Sequence, residues 1–270
     1  MENKNWTGER LETDILNLNT TEHLHRYAIA QQFCERKIVL DIASGVGYGS
    51  NLLAQKAQKV FGIDISEKTI KDAMSNYTRP NLSFQIGSCS SIPLETHSVD
   101  LVVSFETIEH HDEHEAMMNE IKRVLKPDGL LLISSPDKKY YSDIPSYNNP
   151  FHIKELYFNE FKALIGKHFS HTDFYFQKIT SGSMIISDTA LSGYTEYAGD
   201  YTTIIYDTDF KGVYNICLAG HSLLPKLNTS VFLNNHILDY AIKDAVERVQ
   251  NSFSFKLGNI LLSPFRLLKK

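Results

Sequence analysis

Two groups of side chains in this sequence have the types and spacing to do chemistry. The first is a turn with its flanks. Lys37-Ile38-Val39-Leu40-Asp41-Ile42 is a short apolar run, and Ala43-Ser44-Gly45-Val46-Gly47-Tyr48-Gly49 follows with three glycines at alternate positions. A second apolar run, Val60-Phe61-Gly62-Ile63, ends in Asp64 and Ile65. Glycine lets a backbone approach a ligand that a Cβ would keep away. A carboxylate at the end of the next strand can accept hydrogen bonds from both hydroxyls of a ribose, so the pair points to a nucleoside. The second group is Glu106-Thr107-Ile108-Glu109-His110-His111. If this segment is helical, Glu106, Glu109 and His110 stand at i, i+3 and i+4 on one face. With His152 they form a candidate donor set for Mg2+ or another divalent cation, which would bind an acceptor hydroxyl and lower its pKa. Alternatively His110 or His111 acts as a general base, because imidazole titrates in the range needed to take an alcohol proton.

The elements that must position these groups follow from hydrophobic patterning. The first group reads as strand, glycine turn, helix, strand, carboxylate, and residues 37–136 continue in β-α alternation, which predicts a parallel sheet with helices on its faces. Residues 1–36 are polar at first and then carry Leu24, Tyr27, Ala28, Gln31 and Gln32 at helical spacing, giving an N-terminal helical lid. Residues 37–220 are expected to form the main domain. Within it, 137–151 make a loop above the carboxyl ends of the strands, 153–165 a helix and 169–178 a strand. Residues 180–211 have little periodicity and are expected to be an insertion before a last strand at 212–219. Residues 221–270 hold a helix over 236–250 and then a tail, Ser252 to Lys270, with four bases, no acid and many apolar residues. Such a basic amphipathic end suits a membrane interface or a partner protein.

Composition narrows the classes. A 270-residue chain of ordinary apolar content buries a sizeable core. Net charge is −5, against the basic face that nucleic acid requires, so no nucleic-acid partner is expected. Cys34, Cys89 and Cys217 are far apart with no C-x-x-C, as expected of reduced thiols in a cytoplasmic protein. No stretch is apolar enough for a signal segment or a membrane span.

The G-x-G-x-G turn after Asp41 resembles motif I of the class I S-adenosylmethionine (SAM) dependent methyltransferases. Asn81 to Cys89, Ser98 to Phe105 and Glu120 to Leu130 are similar to that family's third strand and adenine loop, fourth strand, and helix and turn into the fifth. The resemblance implies a Rossmann-like α/β fold with a seven-stranded, mostly parallel sheet whose last hairpin is antiparallel. It implies SAM as cofactor, held by Asp41, Ala43, Gly45, Gly47, Asp64, Ile65, Ser88, Cys89 and Phe105. Ser88 and Cys89 stand where many relatives carry an adenine-binding Asp, so Cys89 would be an apolar wall. Thr7-Gly8-Glu9-Arg10, Glu22-His23-Leu24-His25-Arg26-Tyr27, Ser134-Ser135-Pro136 and Asn149-Pro150-Phe151-His152 resemble a group of bacterial O-antigen and polysaccharide methyltransferases. That likeness implies that Arg26 pairs with the SAM carboxylate and Tyr27 closes over it. His25, read from the residues alone, is expected on an exposed helix face. It also implies O-methylation of a sugar hydroxyl on a surface polysaccharide or its lipid-linked precursor. His110, His111 and His152 would be catalytic, and the Tyr-rich segments 137–151 and 194–206 would stack on sugar rings. The E-x-x-E-H pattern with a later His also resembles the metal site of small-RNA 2′-O-methyltransferases, and in part the ubiquinone-pathway O-methyltransferases. A non-catalytic SAM-binding scaffold is the rival from outside the enzymes. The implied location is the cytoplasm or the inner face of its membrane.

Overall fold

The computed structural model describes residues 18–180 and 182–266. A nine-stranded sheet runs through it in the order β11-β7-β6-β10-β5-β4-β1-β2-β3. Its parallel half is β1 (Ile38–Ile42), β2 (Lys59–Asp64), β3 (Leu82–Ile86), β4 (Val99–Ser104) and β5 (Leu125–Pro136). β1 is the central strand, with Leu40 opposite Phe61 on one side and Val102 on the other. Side chains alternate along it: Leu40 and Ile42 enter one apolar core, while Val39 enters the other. Asp41 therefore points into the second core layer, among Tyr27, Leu53 and Phe105, where a carboxylate needs explicit partners.

The helices cover both faces. α4 (His114–Val124) buries Met117, Met118, Ile121 and Val124, and packs beside α5 (Phe158–His168), which buries Phe161 and Ile165. α1 (Leu18–Ala30) and α2 (Tyr48–Leu53) cover the other face. α3 (Glu67–Asn76) begins at Ser66, whose side chain accepts from Thr69 N, and packs Ile70 and Ala73 on Phe84.

The antiparallel half adds β10 (Tyr214–Gly220) between β5 and β6 (His171–Ile179). Up to this point the sheet matches the expected seven strands. Two more extend it: β7 (Gly182–Ser187) pairs with β6, and β11 (Ser230–Leu233) pairs with β7. The expected insertion at 180–211 is thus partly sheet, because Ser183, Ile185 and Ile186 are buried in β7. The remainder makes a separate ribbon, β8 (Glu196–Gly199) with β9 (Ile204–Asp207). The helix expected at 153–165 begins only at Phe158, because the preceding chain is drawn out alongside Asp137, with Lys138 N donating to Leu156 O.

α1 is a packed layer rather than a loose lid. It lies against β6, β7 and β11. His25, expected on an exposed face, is buried, with Nδ1 2.9 Å from Ser183 Oγ and Nε2 2.9 Å from Ser230 Oγ. Burial holds its pKa down at about 4. Cys34 and Cys217 are buried and all three thiols are free. After β11 the chain forms α6 (Asn235–Asn251) and α7 (Phe253–Arg266). Among the described residues no helix is long and apolar enough to cross a membrane. Thr7-Gly8-Glu9-Arg10 and the last four residues of the tail lie outside the described residues.

Candidate active site

A cavity of about 570 Å3 opens at the carboxyl ends of β1, β2 and β4, where ligands of open α/β sheets bind. Its floor is the turn after β1. Ala43, Gly45 and Gly47 all have positive φ, at 60°, 54° and 86°. A Cβ built on Gly45 would meet no atom within 4 Å, so packing does not demand glycine there; the left-handed backbone and open approach do. Gly47 does not line the cavity; an added Cβ there would meet Phe84 and Ala73. Gly49 serves Tyr27: an added Cβ would lie 2.0 Å from that ring. Only the first of the three glycines therefore has the expected ligand-facing role.

Asp64 lies on the cavity wall as expected. Its Oδ2 accepts from Gly45 N at 3.0 Å and its Oδ1 from Ser66 N at 2.9 Å. One carboxylate thus holds the turn and faces the cavity, and each oxygen can accept more than one bond. Ala43, Ile65, Ser88, Cys89 and Phe105 line the same space. Cys89 Sγ is 3.3 Å from His111 Nε2. Burial raises the Cys89 pKa and lowers that of His111.

Besides Gly47, two expected cofactor contacts are absent from the cavity wall. Asp41 is buried behind the turn, accepting from Ser50 Oγ at 2.6 Å and from Tyr27 OH at 3.2 Å, and burial pushes its pKa up to about 7. It ties α1 and α2 to β1. Arg26 is fully buried behind Tyr27 and Glu22, which do line the cavity. Its Nη1 donates to Gln177 Oε1 at 2.6 Å and lies 3.8 Å from Glu106, and its guanidinium covers the Tyr214 ring. Nε and Nη2 have no hydrogen-bond partner among the described residues. Beside it, burial raises the Glu22 pKa to about 7.

The acceptor side departs most from expectation. Residues 106–110 are not an α-helix. Glu106 has φ of 50°, and only Ile108–His110 form a short 3-10 turn because Ile108 is buried in the core. The carboxylate of Glu106 turns away to accept from Ser134 Oγ at 2.5 Å, so it leaves the expected metal set. Glu109, His110 and His152 do converge, each offering a ligand atom within 4.8 Å of the others. The backbone explains why: Glu109 O accepts from Ile153 N and Lys154 N, which fixes the 149–155 loop against the turn. The Glu109 Oε2 atom is buried without a partner, and burial, reinforced by Glu106, holds its pKa well above the ordinary range.

Glu155 follows His152 in the matched segment, but sequence patterning assigns it no role. Its Oε1 is 2.5 Å from His152 Nδ1. Phe151 N donates to Asn149 Oδ1, which turns the amide so that Asn149 Nδ2 donates to His152 Nε2 at 3.0 Å. His152 is then the Nδ1–H tautomer with its Nε2 lone pair facing Asn149. Tyr141 stacks on His152 and lines the cavity, as expected for the 137–151 segment. The Tyr-rich 194–206 segment does not line it: Tyr197, Tyr201 and Tyr206 are exposed in and around the outlying ribbon. A second cavity of about 400 Å3, bounded by Lys138, Ser142, Tyr147 and Asn148, shares Asn149 and His152 with the first.

Comparison with known proteins agrees with this architecture. A methyltransferase-domain family (Methyltransf_11) matches residues 40–133. A probable S-adenosylmethionine-dependent methyltransferase of Mycolicibacterium smegmatis is 34% identical over 164 residues, covering 59% of this chain and 62% of that protein. A similarly described protein of Mycobacterium tuberculosis is also 34% identical, with 58% of its length covered. The chain thus spans about three fifths of the length of these curated relatives. The crystal structure of the YcgJ protein of Bacillus subtilis superposes with a TM-score of 0.55 at 17% identity, covering 74% of this chain and all of that one. The fold is the Rossmann-like methyltransferase fold.

Proposed function

We propose that this chain is a SAM-dependent O-methyltransferase whose acceptor is a sugar hydroxyl of a surface polysaccharide or its lipid-linked precursor. One observation carries the reading. A single cavity has the Gly45 turn and Asp64 at one end and Glu109, His110 and His152 at the other. Its volume falls in the range of small-molecule sites. The residues fit the cofactor: a turn open at Gly45, a carboxylate at the end of β2, and an apolar flank at Ile65, Cys89 and Phe105. When bound, SAM supplies a methyl group already activated on a sulfonium.

The chain's own residues do the rest. Asp64 accepts the ribose hydroxyls, and Tyr27, held by Asp41, walls the site. His152 takes the acceptor proton at Nε2. Glu155 fixes the Nδ1–H tautomer that leaves this lone pair available and balances the imidazolium that forms. Asn149 releases Nε2 when the hydroxyl arrives. The second cavity beyond His152, lined by hydroxyl, amide and charged groups, leaves room for the hydroxyl-rich remainder of an acceptor.

A second reading rests on the Glu109, His110 and His152 cluster. A divalent cation there would satisfy the orphaned Glu109 oxygen and would lower the hydroxyl pKa by its charge. Glu155 would then orient His152 as a ligand.

The test is methyl transfer from labelled SAM into a membrane extract of the source cell, separated into glycan, lipid and RNA and run with and without a chelator. Label in glycan supports the main reading, and chelator sensitivity supports the cation. Label in small lipids favours a quinone-precursor enzyme, label in RNA favours an RNA enzyme, and SAM binding without transfer favours a scaffold.

A further inference from the structure

Beyond β11 the chain leaves the sheet. α6 and α7 are joined at Ser252, and none of their described side chains joins the buried core. Ile242, Val246 and Val249 recur along α6 at spacings of four and three, and Phe253 continues the row. These four are 62%, 47%, 58% and 79% exposed. Leu257 and Leu261 on α7 are exposed as well. Such a row is costly to leave in water, because large apolar side chains are stabilised by burial. Helices of this length are also marginal in water unless their apolar face is covered.

Charge identifies the cover. From Ser252 to Lys270 the chain carries Lys256, Arg266, Lys269 and Lys270 and no acid, although the protein as a whole is at −5. On α7, Phe253, Leu257 and Leu261 share an arc of about 80° at 100° per residue, Lys256 flanks it and Asn259 lies opposite. That is the pattern of a helix lying in an interface, with a basic side chain reaching up to headgroups. A second copy of the same segment would bring like charges together. An anionic lipid surface is attracted by them, and no described helix is able to span it.

We propose that α7 docks this protein on an anionic lipid surface, its apolar arc of Phe253, Leu257 and Leu261 among the acyl chains and Lys256 at the headgroup phosphates. The experiment uses the full chain and vesicles of phosphatidylcholine, alone or in equal parts with phosphatidylglycerol, read by co-sedimentation. Binding is expected only to the mixed vesicles and to weaken with salt. Each base near such a surface contributes about fivefold in affinity, so Lys256→Glu with Arg266→Glu should weaken binding more than about tenfold. Phe253→Ser, Leu257→Ser and Leu261→Ser together should abolish it while leaving thermal stability and SAM affinity unchanged. Protein that stays in the supernatant, or variants that bind as wild type, overturn the proposal. So does a concentration-dependent dimer that the triple serine variant abolishes. The readout is lipid binding and not methyl transfer, so it stands or falls separately from the proposed reaction.

Discussion

Asp64 is the residue on which most of the proposed chemistry turns. Asp64→Ala should weaken SAM binding about tenfold to a hundredfold, measured by calorimetry, because two buried ribose hydroxyls lose their acceptor. Unchanged affinity would sink the ribose assignment. Glu155→Gln tests the other end. SAM affinity should stay at the wild-type value while kcat falls by about tenfold or more and the basic limb of the rate profile moves, since an amide neither fixes the tautomer nor balances the charge. A variant that lost only stability, with an unmoved pH profile, would leave Glu155 a loop anchor. Asp41 gives a third measurement. Its folded pKa of about 7 lies above the ordinary 3.8, so folding disfavours its charged form. The neutral form's advantage is complete below pH 3.8 and is lost as pH rises through about 7. Wild-type Tm should therefore fall relative to Asp41→Asn across that window. A constant difference would mean that the carboxyl ionises freely. Asp64 was legible from local order alone, as an acid closing the strand after a glycine turn. Glu155 was not, because its importance lies in the side-chain direction of His152, and Arg26 was misread because its neighbours Gln177 and Tyr214 come from 151 and 188 positions away.

Elements were legible where hydrophobic periodicity was long. β1, β2 and α6 fall close to where apolar patterning predicts them, and β3 and β4 close to where the family resemblance does, whereas α4 ends at Val124, where the resemblance implied helix and turn over 120–130. The 106–110 segment fails because its helical spacing competes with burial of Ile108, and the core wins. β7 was hidden because its buried Ser183 and partly buried Ser187 read as loop, although Ser183 accepts from Gln177 and touches His25. At this scale the glycine turn divides its labour. Gly49→Ala puts a methyl group into the Tyr27 ring and should lower Tm by several degrees, corresponding to about 1–3 kcal/mol for an overpacked site. Gly45→Ala meets no neighbour and costs only its left-handed backbone, about 1–2 kcal/mol, yet it should weaken SAM binding more than Gly49→Ala does. Equal effects of both on binding would merge the two roles.

At the scale of the molecule, parallel and antiparallel halves of one sheet make different contributions. The parallel half supplies the turn, Asp64 and the Glu109 segment, while the antiparallel half holds α1 in place and with it the Tyr27 wall. α1 comes early in the chain, yet His25 takes its two partners from residues 158 and 205 positions further on. During synthesis on the ribosome, this helix must wait for Ser230, 205 positions later, before its berth exists. A nascent chain with β1 to β5 complete thus has the turn and the acid but lacks the wall, and contacts of such long range form slowly. Arrested chains released after Lys226 should bind SAM at least about tenfold more weakly than the full chain, because buried polar groups at the α1 seam are left unpaired. The protein would then acquire its ligand only after β11 has emerged, which keeps a half-built site from capturing cofactor.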